Sequence, residues 1–175
     1  MQFIFKHNTS ELLPFLTETG RHIQDILPAD TYTENLLHKC KYIITELCTN
    51  AIKHSGLLQT TFDIYIENNH LLIKRCGRGL PFYANAVNNN RLLIPHAVTG
   101  TVILTEDDIN KLCVQRIDEH SVRFYVEDTT VTDNTDQHTM GEHFGLIIIC
   151  RSSDTFTYAR QPDALNVFTV SLKIY

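Results

Sequence analysis

Tyr42-Ile43-Ile44-Thr45-Glu46-Leu47-Cys48-Thr49-Asn50-Ala51-Ile52-Lys53-His54-Ser55 is the stretch on which the fold of this chain turns. At about 100° per residue, positions i, i+4 and i+7 fall within roughly 60° of one another. Glu46, Asn50 and Lys53 therefore share one stripe of a helix. A second stripe, Leu36, Cys40, Ile43, Ile44, Leu47 and Ala51, runs beside it and packs on a core. A carboxylate, a carboxamide and an amine at the edge of a buried face can hold a hydrated cation and a phosphate. The same residues also fit a solvated edge with ordinary i,i+4 pairing. Spacing alone decides nothing.

Working outward, Ser55-Gly56 ends the helix, and two alternating runs follow, Thr61 to Glu67 and His70 to Arg75, joined by Asn68-Asn69. That pattern predicts a β-hairpin. Its second strand runs into Cys76-Gly77-Arg78-Gly79-Leu80-Pro81-Phe82. Glycines spaced like this let the backbone take positive φ or come close to a ligand. Near the end, Met140-Gly141-Glu142-His143-Phe144-Gly145-Leu146 leads into the apolar run Ile147 to Ile149. If that run is helical, its free N–H groups form an anion site. Two alternating runs, Thr155 to Tyr158 and Val167 to Ile174, close the chain.

In this order the elements resemble the GHKL ATPases, also called the Bergerat fold, of gyrase, heat-shock chaperones and histidine kinases. The helix from Glu46 to His54 looks like their N-box, Gly77 and Gly79 like the first glycine box, and Gly141 to Leu146 like the second. The short opening strand and helix look most like the anti-sigma-factor serine kinases. The resemblance implies an α+β two-layer sandwich, a mixed sheet covered on one face by helices, with an inserted helix–hairpin segment in the lid. It implies Mg²⁺ and ATP, with Asn50 holding the metal and Glu46 acting as the catalytic base. Lys53, His54, Arg75, Gly77, Gly79, Gly141, His143, Gly145 and Leu146 then line the nucleotide site. Implied partners are a sigma factor or an anti-anti-sigma regulator, with a possible homodimer, in the cytoplasm.

Three positions depart from the family pattern. Arg75 stands where the family has an Asp that accepts from the adenine amino group, and arginine has donors only. His143 replaces the central glycine of the second box, and Leu165-Asn166 replaces the Gly-Thr that opens the closing strand. Losing the adenine acceptor costs roughly 1–3 kcal/mol, about one to two powers of ten in affinity. Asp128, at the end of a later hairpin, is the candidate substitute acceptor. Two further readings follow. One is a pseudo-enzyme that keeps the fold as a protein-interaction module; the other is a pocket for a carbonyl-bearing base such as guanine, met by Arg75.

Bulk properties narrow the field. The 175 residues suit one domain, 1–175, with 81–140 as an extended lid or insertion. A net charge of -5 argues against nucleic-acid binding. No run of 18 apolar residues signals a membrane span. Five cysteines without a C-x-x-C pair read as reduced thiols, and nine scattered histidines without a paired spacing argue against zinc.

The opening residues 2–6 read as a strand, then a helix from about Ser10, its N-cap, to Leu27. Pro28 to Thr31 breaks the chain ahead of a helix from about Tyr32 to His54. Within the insertion, Thr105-Glu106-Asp107-Asp108 predicts a capped helix start. Leu112 to Ile117 and Val122 to Val126 predict a second hairpin around Asp118-Glu119-His120. Asn88-Asn89-Asn90 and Asp128 to His138 read as polar loop.

Overall fold

Alternating apolar residues give the strands one face to bury, and two amphipathic helices with a third, more uniformly apolar one supply the cover. The computed structural model describes residues 1–28, 34–87, 90–129 and 140–174. Strand β1 (Gln2–Lys6) leads through a 3-10 turn into α1 (Leu12–Ile26), then α2 (Glu34–His54), β2 (Gln59–Glu67) and β3 (His70–Arg78). Two short strands follow, β4 (Tyr83–Asn85) and β5 (Arg91–Leu93). Next come β6 (Thr101–Glu106), β7 (Asn110–Arg116), β8 (Ser121–Asp128), α3 (Met140–Ser152), β9 (Thr155–Gln161) and β10 (Leu165–Lys173).

Among the described residues, eight strands form one sheet in the order β1-β2-β3-β10-β9-β8-β7-β6, and β4 pairs with β5 apart from it. Every pairing is antiparallel, so the expected mixed sheet is corrected. Each neighbouring pair is joined by a hairpin or reached from the opposite end, and no parallel crossover is needed. The β2–β3 hairpin turns at Asn68 and Asn69, both at positive φ (49° and 61°). That conformation matches the strand twist, and asparagine tolerates it.

Phe62, Ile64, Leu71, Ile73, Phe168 and Val170 point to one face and are buried. Helix α1 lies on β1 and β2, α3 lies on β6 to β9, and α2 packs between α1 and α3. Phe5, Phe15 and Phe62 interlock at 5.0 to 6.4 Å beneath α1. The opposite face of the sheet carries no helix among the described residues. Across it runs a polar row, Asp63, Lys74, Thr169, Thr157 and Arg123 in register. Within the 81–140 insertion, β6, β7 and β8 extend the main sheet from β9.

Two local expectations are corrected. Asn8 caps the 3-10 turn, its side chain accepting from the Ser10 amide, and α1 begins behind Glu11 with no side-chain cap, so Ser10 is not the cap. Thr105 to Asp108 starts no helix. Thr105 and Glu106 end β6, and the Asp107 carboxylate accepts from the Ile109 and Asn110 amides at 2.7 Å, closing a hairpin turn. The chemistry that caps a helix also caps a turn. The proposed break at 29–31 and the polar stretches at 88–89 and 130–138 lie outside the described residues. All five cysteines are free thiols. Burial pushes Cys40 up to about 12, and Cys48 higher still.

His7 ties three elements together where α2 ends. Its Nδ1–H donates to the Leu57 carbonyl at 2.7 Å, and the Thr60 hydroxyl donates to Nε2 at 3.3 Å. Burial lowers its pKa from 6.5, against the pull of the Leu57 bond, and nearby Arg75 lowers it further. A base held neutral by folding contributes its stability above the unfolded pKa and loses it as pH falls below. The urea midpoint should therefore fall as pH drops through 6.5, and His7→Gln should flatten that slope. Equal slopes for the two proteins would contradict the assignment.

Candidate functional site

Helix α2 places Glu46 and Asn50 one turn apart, both half-buried, on the side that meets α3. Their meeting point is Gly145. A Cβ built there would lie 2.5 Å from Glu46 Oε2 and 3.6 Å from Asn50 Nδ2. The two polar ends therefore converge on α3, as the stripe predicts. Neither side chain has a hydrogen-bond partner among the described residues. Lys53 and His54 continue the helix but are exposed in its last turn, where positive charge also suits the helix dipole. Leu146, next to Gly145, is core.

Arg75 does the unexpected thing. It sits on the helix-facing side of β3 at 7% exposure. Its Nη1 donates to the Leu47 carbonyl of α2 at 3.0 Å, and its guanidinium lies 4.2 Å from the centre of the Phe168 ring. No carboxylate pairs with it among the described residues. Burial pulls its pKa down to about 10, partly countered by Cys48 and Tyr158. Around it, Phe82, Phe124, Phe156, Tyr158 and Phe168 pack ring on ring at 4.7 to 6.3 Å. The space between α2 and the β3–β10 part of the sheet is filled by this aromatic cluster and one cation.

The glycine turn after β3 is equally occupied. Arg160 Nη1 donates to the Gly79 carbonyl at 2.9 Å and to Asn166 Oδ1 at 2.6 Å. Asn166 Nδ2 donates to the Leu80 carbonyl, and the Tyr158 hydroxyl donates to Asn166 Oδ1. The Phe82 amide donates to the Tyr158 oxygen, and the Gly79 amide to the Ala164 carbonyl. The Gly79 and Phe82 amides, donors that could meet a phosphate, are spent inside the chain. Sequence reading missed this network, although Asn166 at a position expected to be Thr was its one visible sign.

The glycines have a reason other than a ligand. Gly77 and Gly79 both lie at negative φ, and each lets the chain approach itself. A Cβ on Gly77 would meet Thr60 Cγ2 at 2.8 Å, and one on Gly79 would meet the Ser55 carbonyl oxygen at 2.9 Å. Helix α3 starts at Met140, so the second glycine box, Gly141 included, is helix rather than open loop. His143 is 8% exposed, and its Nε2–H donates to the Asn85 carbonyl of β4 at 2.8 Å. It ties α3 to the β4–β5 hairpin.

Asp128 is not brought to Arg75. It is exposed and paired with Arg151 at the end of α3, so it supplies no acceptor in the base position. Two surface clefts, of about 300 and about 480 Å³, lie between β8 and the end of α3 and along α1. Neither is lined by Glu46, Asn50 or Arg75. No helix of the described residues is long and apolar enough to cross a membrane. No protein-family model matches the chain, and no curated protein matches it.

Two substitutions separate the packing roles. Gly79→Ala should destabilise by about 1–3 kcal/mol, because its methyl meets backbone that cannot yield. Gly145→Ala meets only the tip of a flexible Glu46, and gains about 1 kcal/mol of helix propensity, so it should be neutral or stabilising. Urea unfolding of both variants checks the ordering.

Proposed function

We propose that this chain is a GHKL-type regulatory module that has given up adenine binding and works by binding a protein partner. The observation that carries the reading is Arg75: buried, bonded to Leu47 and stacked on Phe168 in the position of the base acceptor. A charged hydrogen bond contributes about 1.5–3 kcal/mol and a desolvated cation–π contact about 2. Displacing the guanidinium forfeits both, before the hydration it regains on leaving. Added to the missing acceptor, that deficit takes a micromolar nucleotide site towards the millimolar range. Resemblance to the anti-sigma-factor serine kinases makes a cytoplasmic transcription regulator the partner class.

One observation favours a second reading, an ATP-binding module. Glu46 and Asn50 stay together, half-buried and without side-chain partners among the described residues, as suits a Mg²⁺-phosphate end. A hard cation takes such oxygens readily, and Glu46 would sit as base toward an attacking hydroxyl. The fold alone does not choose between the two; the buried Arg75 supports the first.

Isothermal titration with Mg·ATP is the test. Wild type should give no saturable heat at about 1 mM nucleotide, and no phosphoryl transfer to protein serine. Arg75→Asp should gain binding if it folds, with thermal melting to show that it does. Saturable binding of wild type at micromolar ATP sinks the proposal in favour of the second reading.

A further inference from the structure

One corner of the molecule collects the end of α2, the end of β1, the start of β2, the glycine turn and the start of β10. The His7 amide donates to the Leu58 carbonyl, the Gly79 amide to the Ala164 carbonyl, and a Cβ on Gly56 would touch Leu80 at 3.8 Å. On this corner Leu58 is 90% exposed and Leu80 68% exposed. Their backbones are fixed by these bonds, so the two leucines are displayed rather than left loose.

Charge segregates here as well. The segments 4–8, 53–60, 76–82 and 160–166 hold Lys6, Lys53, Arg78 and Arg160 against one acid, Asp163, in a chain of net charge -5. Arg160 is used internally. Lys6, Lys53 and Arg78 are exposed and have no acidic partner among the described residues. Two exposed leucines on a corner that also carries these three exposed cations fit an acidic segment with apolar anchors. We infer that this corner docks an acidic, amphipathic segment of a partner protein, with Leu58 and Leu80 as anchors and Lys6, Lys53 and Arg78 as the rim. Protein is favoured over an anionic lipid surface because the patch is two side chains wide and lies on turns, with no amphipathic helix to insert. The inference rests on the protein-binding reading above and names where that binding occurs.

The test uses a synthetic amphipathic helical peptide of Glu and Leu, with Lys-for-Glu as its control, titrated into the ¹⁵N-labelled full chain. The Glu peptide should shift the amides of 56–60 and 78–80, and salt should weaken it. The paired change Leu58→Ser and Leu80→Ser should weaken it at least about tenfold. Lys6→Glu with Arg78→Glu should do likewise while melting stays at the wild-type temperature, because all four side chains are exposed. Equal binding of both peptides, or shifts confined to other residues, overturns the inference. So does co-sedimentation with phosphatidylserine vesicles that depends on the two leucines, or self-association that they abolish. Binding of Mg·ATP by wild type would defeat the preceding proposal and leave these readouts unchanged.

Discussion

A guanidinium buried without a carboxylate governs this structure. Arg75 lies under α2, and charge in that setting is costly to desolvate; the fall of its pKa to about 10 reflects that cost. What offsets it is the Leu47 carbonyl at 3.0 Å and the Phe168 face at 4.2 Å. Those two contacts set how α2 sits on β3 and β10. Once they exist, the volume between helix and sheet belongs to the protein, and Tyr158, Phe168 and Phe82 close round it.

The remaining departures from the nucleotide-binding pattern follow the same logic. Asn166 and Arg160 hold the carbonyls of the glycine turn, and His143 holds a carbonyl of β4. Each substituted residue brings a donor to backbone oxygen. Arg75, His143 and Asn166 each serve as an internal tie. Against them stands one unspent pair, Glu46 and Asn50, facing Gly145.

Much of the fold was legible. The alternation of Thr61 to Arg75, with two asparagines between, has only one compact solution, and β2–β3 adopts it. The apolar stripe of α2 is buried at all six positions. The hairpin at 112–126 also formed, but its attachment to β9 depends on pairing across some 30 residues, which local pattern does not encode. Thr105 to Asp108 misled because a turn and a helix start want the same side-chain acceptor. At the site, the stripe correctly brought Glu46 and Asn50 together. At Gly77 and Gly79 close approach was the right reason, and what comes close in the structure is Thr60 and Ser55 of this chain. Sequence does not say whether an arginine on β3 turns outward or under the helix. That choice is made by the aromatic faces waiting for it.

The most direct measurement is the ¹⁵N spectrum of the Arg75 side chain in the folded protein. The account predicts slowly exchanging guanidinium protons, shifted upfield by the Phe168 ring and returned to ordinary positions by Phe168→Leu. Rapid exchange at solvent-like shifts, indifferent to Phe168, would place the guanidinium in water and contradict the closed base end.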